Sequence, residues 1–99
     1  MKIAFNDLNK MFESRVRLGI MSALAVNDKL DFISLKEYLD VTDGNLASHL
    51  KTLEKEKFIS VHKSFIDRKP NTKYYITAKG RIAFEEHLKV LEQIIESQK

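Results

Sequence analysis

Seven residues with useful chemistry fall in one candidate helix between Asp43 and Glu56: Gly44, Asn45, Ser48, His49, Lys51, Thr52 and Lys55. At about 100° per residue, Leu50 and Leu53 lie within about 40° of Leu46, which gives that helix an inward stripe. Gly44, Ser48, Lys51 and Lys55 lie opposite, with Asn45 and Thr52 beside them, and no acid interrupts this face before Glu54 and Glu56. Such a face suits a duplex groove. Small residues permit close approach, Asn45 offers a donor and an acceptor to a base edge, Ser48 and Thr52 reach bases or phosphates, and lysines neutralise phosphates. The helix N-terminus itself attracts a phosphate. On an isolated helix the same residues would read as a solvated surface. His49 sits about 60° from Leu46, on the flank, where it either contacts a phosphate or borders the core.

A second cationic group follows. Arg68 and Lys69 occupy the tip of a candidate hairpin, with Lys63 and Lys73 on its strands. A guanidinium at a loop tip suits the enhanced negative potential of a narrow minor groove. Asp67 weakens that field and favours the turn. His62 alternates outward on a strand and His87 lies on the last helix. Neither spacing makes a local metal motif, so neither a metal nor a cofactor is expected. A Gly-rich phosphate loop and a nucleophile elbow are both missing. Glu85-Glu86 and Asp40/Asp43 read as surface or caps, so no enzyme is expected.

Positioning these groups requires a definite order of elements. Leu8, Met11, Phe12, Val16, Ile20 and Leu24 repeat at helical spacing from about Asp7 to Val26, with Ser14 and Gly19 as places where that helix could bend or split. Asn27-Asp28-Lys29 ends it. Phe32-Ile33 reads as a short edge strand. Ser34-Leu35-Lys36-Glu37 has the form of a capping box opening a short helix to about Leu39. Asp40-Val41 makes a tight turn to Thr42, a second cap, and the next helix runs over about 43–56. Phe58–Phe65 alternates as a strand. A loop from Asp67 to Thr72 and a returning strand over Lys73–Thr77 complete a hairpin over about 58–77. Thr77 opens a last helix over about 78–97.

That helix bears on assembly. Phe84, Leu88, Leu91 and Ile95 repeat at the spacing of a helix–helix seam, and Val90 with Ile94 forms a second apolar strip. Two strips call for two partners, one within the chain and one from a second copy, so a homodimer is expected.

Composition sets the outer bounds. The chain has 99 residues, 43% apolar and 31% charged, enough for one globular domain spanning 1–99. Net charge is +3, a mild bias toward polyanions. No apolar run approaches the roughly 20 residues of a membrane span. The start, Met1-Lys2-Ile3-Ala4-Phe5-Asn6-Asp7, lacks the apolar stretch of a secretion signal. The absence of cysteine fits a cytoplasmic protein.

Four segments together carry a resemblance: Arg17-Leu18-Gly19-Ile20-Met21, Thr42-Asp43-Gly44-Asn45-Leu46, His49-Leu50-Lys51-Thr52-Leu53-Glu54 and Ile76-Thr77-Ala78-Lys79-Gly80-Arg81. In this order the chain resembles the MarR/ArsR-like winged helix-turn-helix regulators, nearest to their single-domain DNA-binding group. The resemblance implies a recognition helix over Gly44 to Lys55, a wing bearing Arg68 and Lys69, and a dimerising terminal helix. Metal-sensing ArsR relatives use cysteine-containing sites, which this chain lacks. The expectation is a mainly α fold with a small β-hairpin, a winged helix-turn-helix with a C-terminal dimerisation helix. It would bind double-stranded DNA as a homodimeric transcription regulator. The competing reading is a protein-interaction module on the same scaffold, which its cationic, apolar-poor face disfavours. A small-molecule effector in a groove lined by Met11, Phe12 and Met21 stays open.

Overall fold

The computed structural model describes residues 5–99; residues 1–4, where the reading of the N-terminus begins, lie outside them. Ser14 decides where the first helix starts. Its Oγ accepts the Arg17 backbone N–H at 3.2 Å, so α1 spans Arg15–Val26 rather than beginning near Asp7. Ahead of it lie two 3₁₀ turns, Phe5–Asp7 and Lys10–Phe12. Asn9 caps the second by accepting the Met11 N–H at 2.9 Å. One apolar repeat thus serves two segments. Phe12 enters the core from a turn, and Val16, Ile20 and Leu24 enter it from α1.

The next two elements correct the reading at Phe32–Ile33 and Ser34. Strand β1 is Leu30–Asp31, and Phe32 is already helical in α2, Phe32–Leu39. Asp31 caps α2 in place of Ser34, its carboxylate accepting the Ser34 N–H at 2.8 Å. Lys73 on a neighbouring strand lies 3.6 Å from the same carboxylate. Hydrogen bonding from Ser34, reinforced by the Lys73 charge, holds the Asp31 carboxyl below its ordinary range. Helix α2 closes at Asp40 in the left-handed region, φ 53°. Thr42 then caps α3, Asp43–Lys55.

Strands β2, Ile59–Ile66, and β3, Lys69–Ile76, pair antiparallel from Ile59↔Ile76 to Ile66↔Lys69. Strand β1 joins the far side of β3, giving the order β1-β3-β2. The loop expected from Asp67 to Thr72 shrinks to Asp67-Arg68. Both residues have positive φ, 50° and 66°, the geometry of a two-residue turn that matches strand twist. Pairing therefore continues to the tip. Pro70 is accommodated in β3 because β1 pairs only with Lys73 and Tyr74, which leaves that edge open at Pro70.

Helix α4, Ala78–Glu96, starts on Thr77. Its first turn presses against the chain entering β2: a Cβ added at Gly80 would collide with the Phe58 carbonyl oxygen. Further along, Phe84 is 5% exposed and meets Phe12 edge-on at 5.6 Å. It belongs to the core, which corrects its placement on a subunit interface. His87 is also buried. Its Nδ1 accepts the Asn9 backbone N–H at 3.0 Å, and its ring packs on Phe12 at 5.1 Å. Phe12 and Met21 are buried and Met11 packs against the core they belong to, so these three residues serve the core rather than line an open groove. The Cα radius of gyration, 15.0 Å, exceeds the roughly 13 Å of a compact domain of this size. The excess fits the hairpin tip, exposed throughout 65–70, and the far end of α4. Among the described residues no helix is long and apolar enough to cross a membrane.

Candidate nucleic-acid interface

Helix α3 is fastened on one side and open on the other. Leu46, Leu50 and Leu53 are buried. Thr42 Oγ1 accepts the Asn45 N–H at 3.2 Å, and Lys36 of α2 reaches Asp43 at 2.7 Å. The cap and the ion pair fix the turn between α2 and α3. Gly44, Asn45, Ser48, Lys51, Thr52 and Lys55 are all exposed on the remaining surface. The fold does not require a glycine at position 44. Its φ is not positive, and an added Cβ would meet nothing within 4 Å. The Thr52 hydroxyl donates to the Ser48 carbonyl at 3.1 Å, which leaves its oxygen as an acceptor.

His49 differs from its neighbours. It is half-buried, and its Nδ1 lies 3.1 Å from an η-nitrogen of Arg17. Burial, and then the Arg17 charge, push its pKa below the ordinary histidine value. In the sequence, Arg17 stands out only as part of a resembling segment. Its approach to α3 depends on packing between α1 and α3, which helical periodicity cannot reveal.

The hairpin tip brings Arg68 and Lys69 into the open, both fully on the surface side. Arg68 takes the left-handed conformation that glycine or asparagine would adopt at lower cost. The two strand lysines part company. Lys73 pairs with Asp31, whereas Lys63 makes no ion pair among the described residues and faces Lys51 across a shallow depression between α3 and the hairpin. Ala47, Leu50, Glu54, Val61 and Tyr74 line the rest of it. Burial, and secondarily Glu54, raise the Tyr74 pKa. Ala47 and Lys63 join the surface that the helix and hairpin share, a juxtaposition set by the packing of α3 against β2.

On α4 the proposed seam splits. Phe84 turns inward, whereas Leu88 (42% exposed), Leu91 and Ile95 (59% exposed) remain at or near the surface. Of the second strip, Val90 is buried and Ile94 half-buried. Among the described residues, no group of three or more histidine, aspartate or glutamate side chains is placed to hold a metal ion.

A short helix, a tight turn and a second helix with an open polar face, followed at once by a hairpin with a basic tip, define a winged helix-turn-helix. A family model described as a winged helix DNA-binding domain matches residues 16–95, and the chain belongs to that family. An uncharacterized protein of Methanocaldococcus jannaschii is 41% identical over 85 residues, 86% of this chain and 92% of that protein. A transcriptional regulator homologue from Pyrococcus horikoshii OT3 is 31% identical, with a TM-score of 0.80 over 96% of this chain and 99% of that one. The fold is MarR-like. A MarR-family protein from Enterococcus faecalis V583 superposes with a TM-score of 0.73 at 23% identity, over 88% of this chain and 77% of that one.

Proposed function

We propose that the chain binds duplex DNA sequence-specifically as a homodimeric transcription regulator. Helix α3 enters the major groove, and the Arg68-Lys69 tip reaches the adjacent minor groove. Gly44, Asn45, Ser48, His49, Lys51, Thr52 and Lys55 form the helix contribution. The observation that carries this reading is the unobstructed face of α3, where a glycine that the fold does not need leaves room for another surface. Two copies join through Leu88, Leu91 and Ile95, which would set the recognition helices about 34 Å apart for successive major grooves. In this reading the chain acts in the cytoplasm as one winged-helix unit.

Fluorescence anisotropy with labelled duplexes at two salt concentrations tests the proposal. Binding should weaken steeply as salt rises. Replacing Arg68 and Lys69 by alanine should weaken all duplexes alike and reduce the salt slope by about 1 for each phosphate no longer neutralised, whereas Asn45→Ala should change sequence preference. No binding at low salt, or binding indifferent to salt, would sink the reading. For the dimer, Leu88→Asp with Ile95→Asp should yield monomers in light scattering; a monomeric parent chain would refute it.

A further inference from the structure

Arg17 reaches across three elements that the fold must hold together. Its Nε donates to the Met11 carbonyl at 2.6 Å, and its η-nitrogen lies 3.1 Å from His49 Nδ1. A guanidinium has only donors. The Arg17–His49 approach is therefore a hydrogen bond only if Nδ1 is unprotonated and accepts. A neutral imidazole with Nδ1 as acceptor carries its hydrogen on Nε2. Protonating Nδ1 would set two donors face to face. Met11 fixes the guanidinium from behind, and the neighbouring Asn9 N–H is itself fastened to His87 of α4. The partner of His49 is thus anchored to the core rather than free to follow the ring.

We propose that Arg17 is a positioning residue for DNA recognition. It holds His49 in the Nε2–H tautomer, so that the half-exposed ring presents one fixed, neutral N–H donor to a backbone phosphate beside α3. This rests on the DNA-binding reading above. A neutral donor suits the position. It contributes a directed hydrogen bond that places the helix in register, while Lys51 and Lys55 supply charge. The low proton affinity of His49, due first to burial and then to Arg17, keeps the ring in this form at neutral pH.

Long-range proton–nitrogen correlation spectra of the histidine rings test the geometry without DNA. The His49 signal, assigned by its disappearance in His49→Gln, should show the Nε2–H tautomer in the parent chain and mixed tautomers in Arg17→Met. A parent ring with hydrogen on Nδ1 overturns the proposal even if Arg17→Met fails to fold. For duplex binding, His49→Phe and Arg17→Met should each lose about three- to tenfold in affinity, the scale of one hydrogen bond. The double variant should lose no more than the worse single one. His49→Gln, which keeps an acceptor and a donor, should recover most of the loss. Arg17→Lys, which keeps the charge but not the paired donors, should not. Full recovery by Arg17→Lys, or additive losses, would make Arg17 a charge rather than a positioning residue and overturn the proposal. A parent chain that binds no duplex would instead be a failure of the DNA-binding reading, with the tautomer spectra still reporting on the Arg17–His49 pair.

Discussion

Helices α3 and α4 begin with the same local chemistry. Each starts on a threonine, Thr42 or Thr77, whose hydroxyl oxygen accepts the N–H of the residue three places on. Each carries a glycine in its first turn, Gly44 or Gly80. Their surroundings then diverge. The start of α4 is driven against the Phe58 backbone, and Thr77 also donates to the Lys57 carbonyl at 2.7 Å while its own N–H reaches the Phe58 carbonyl at 3.0 Å. Gly44, by contrast, faces open space. One glycine is small because the fold fills the space beside it. The other is small although the fold leaves that space empty. A cap motif therefore locates a helix start without saying whether that start serves the core or a partner.

Substituting the two glycines should separate the two helix starts most visibly. Gly80→Ala drives a methyl group into a backbone oxygen, which cannot rotate away as a side-chain end could. The expected cost is about 3 kcal/mol, the upper range for overpacking. At about 4–8 °C per kcal/mol the fall in Tm would be plain in a thermal melt. Gly44→Ala should leave the melt unchanged or raise it, because alanine is favoured over glycine inside a helix by up to about 1 kcal/mol. The same variant should weaken duplex binding. A Gly80→Ala protein as stable as its parent would show that the close approach to Phe58 is not a constraint.

The caps themselves should separate by a smaller margin. Thr42→Ala removes one accepted hydrogen bond at an exposed helix start, for about 1 kcal/mol. Thr77→Ala removes an equivalent bond and also leaves the Lys57 carbonyl without its partner. Lys57 has φ 65°, a left-handed backbone that a lysine adopts at some cost, so the missing restraint falls on a strained residue. The expected total is about 2 kcal/mol. Urea midpoints that coincide for the two variants would mean that the Thr77–Lys57 bond contributes nothing beyond the cap.

The same contrast explains what can be read from the chain and what cannot. Thr42 and Thr77 are legible because capping is a three-residue interaction. The inner stripe of α3 is legible because Leu46, Leu50 and Leu53 leave a single apolar face. Asp31 and Ser34 are both good caps, and the choice between them follows from β1 pairing with β3, which ties Asp31 to Lys73 from far along the chain. On α4, periodicity groups Phe84 with Leu88, Leu91 and Ile95. Phe12, arriving from the turn ahead of α1, claims Phe84 for the core. The short wing turn is hidden because Asp67-Arg68 lacks the glycine that normally announces such a turn. The surface of α3 can be read residue by residue, yet the Arg17 bond that restrains His49 exists only once α1 and α3 are packed together.

His49 and His87 differ in the same way toward pH, with the smallest effect expected. His87 is buried on the closed side of α4, where burial lowers its pKa and Glu13 partly opposes that shift. In the unfolded chain it would take up a proton near pH 6.5. Between that value and the lower folded value the unfolded state binds more protons, so stability rises with pH. The contribution is fully present above about pH 6.5 and is lost as pH falls toward the folded value. Acid also removes the acceptor for the Asn9 N–H, so the turn ahead of α1 should loosen first. Asp31 acts in a separate window, since its lowered carboxyl loses its contribution only as pH falls below the ordinary 3.8. Urea midpoints should therefore decline from about pH 7 to about pH 5. His87→Gln should flatten the decline, at the cost of some stability at pH 7. His49→Gln should flatten it less, because that ring is only half-buried. Equal flattening by the two variants would mean that the open side of the molecule resists protonation as strongly as the closed side. A decline untouched by His87→Gln would place the acid sensitivity outside the junction between α4 and the turn ahead of α1.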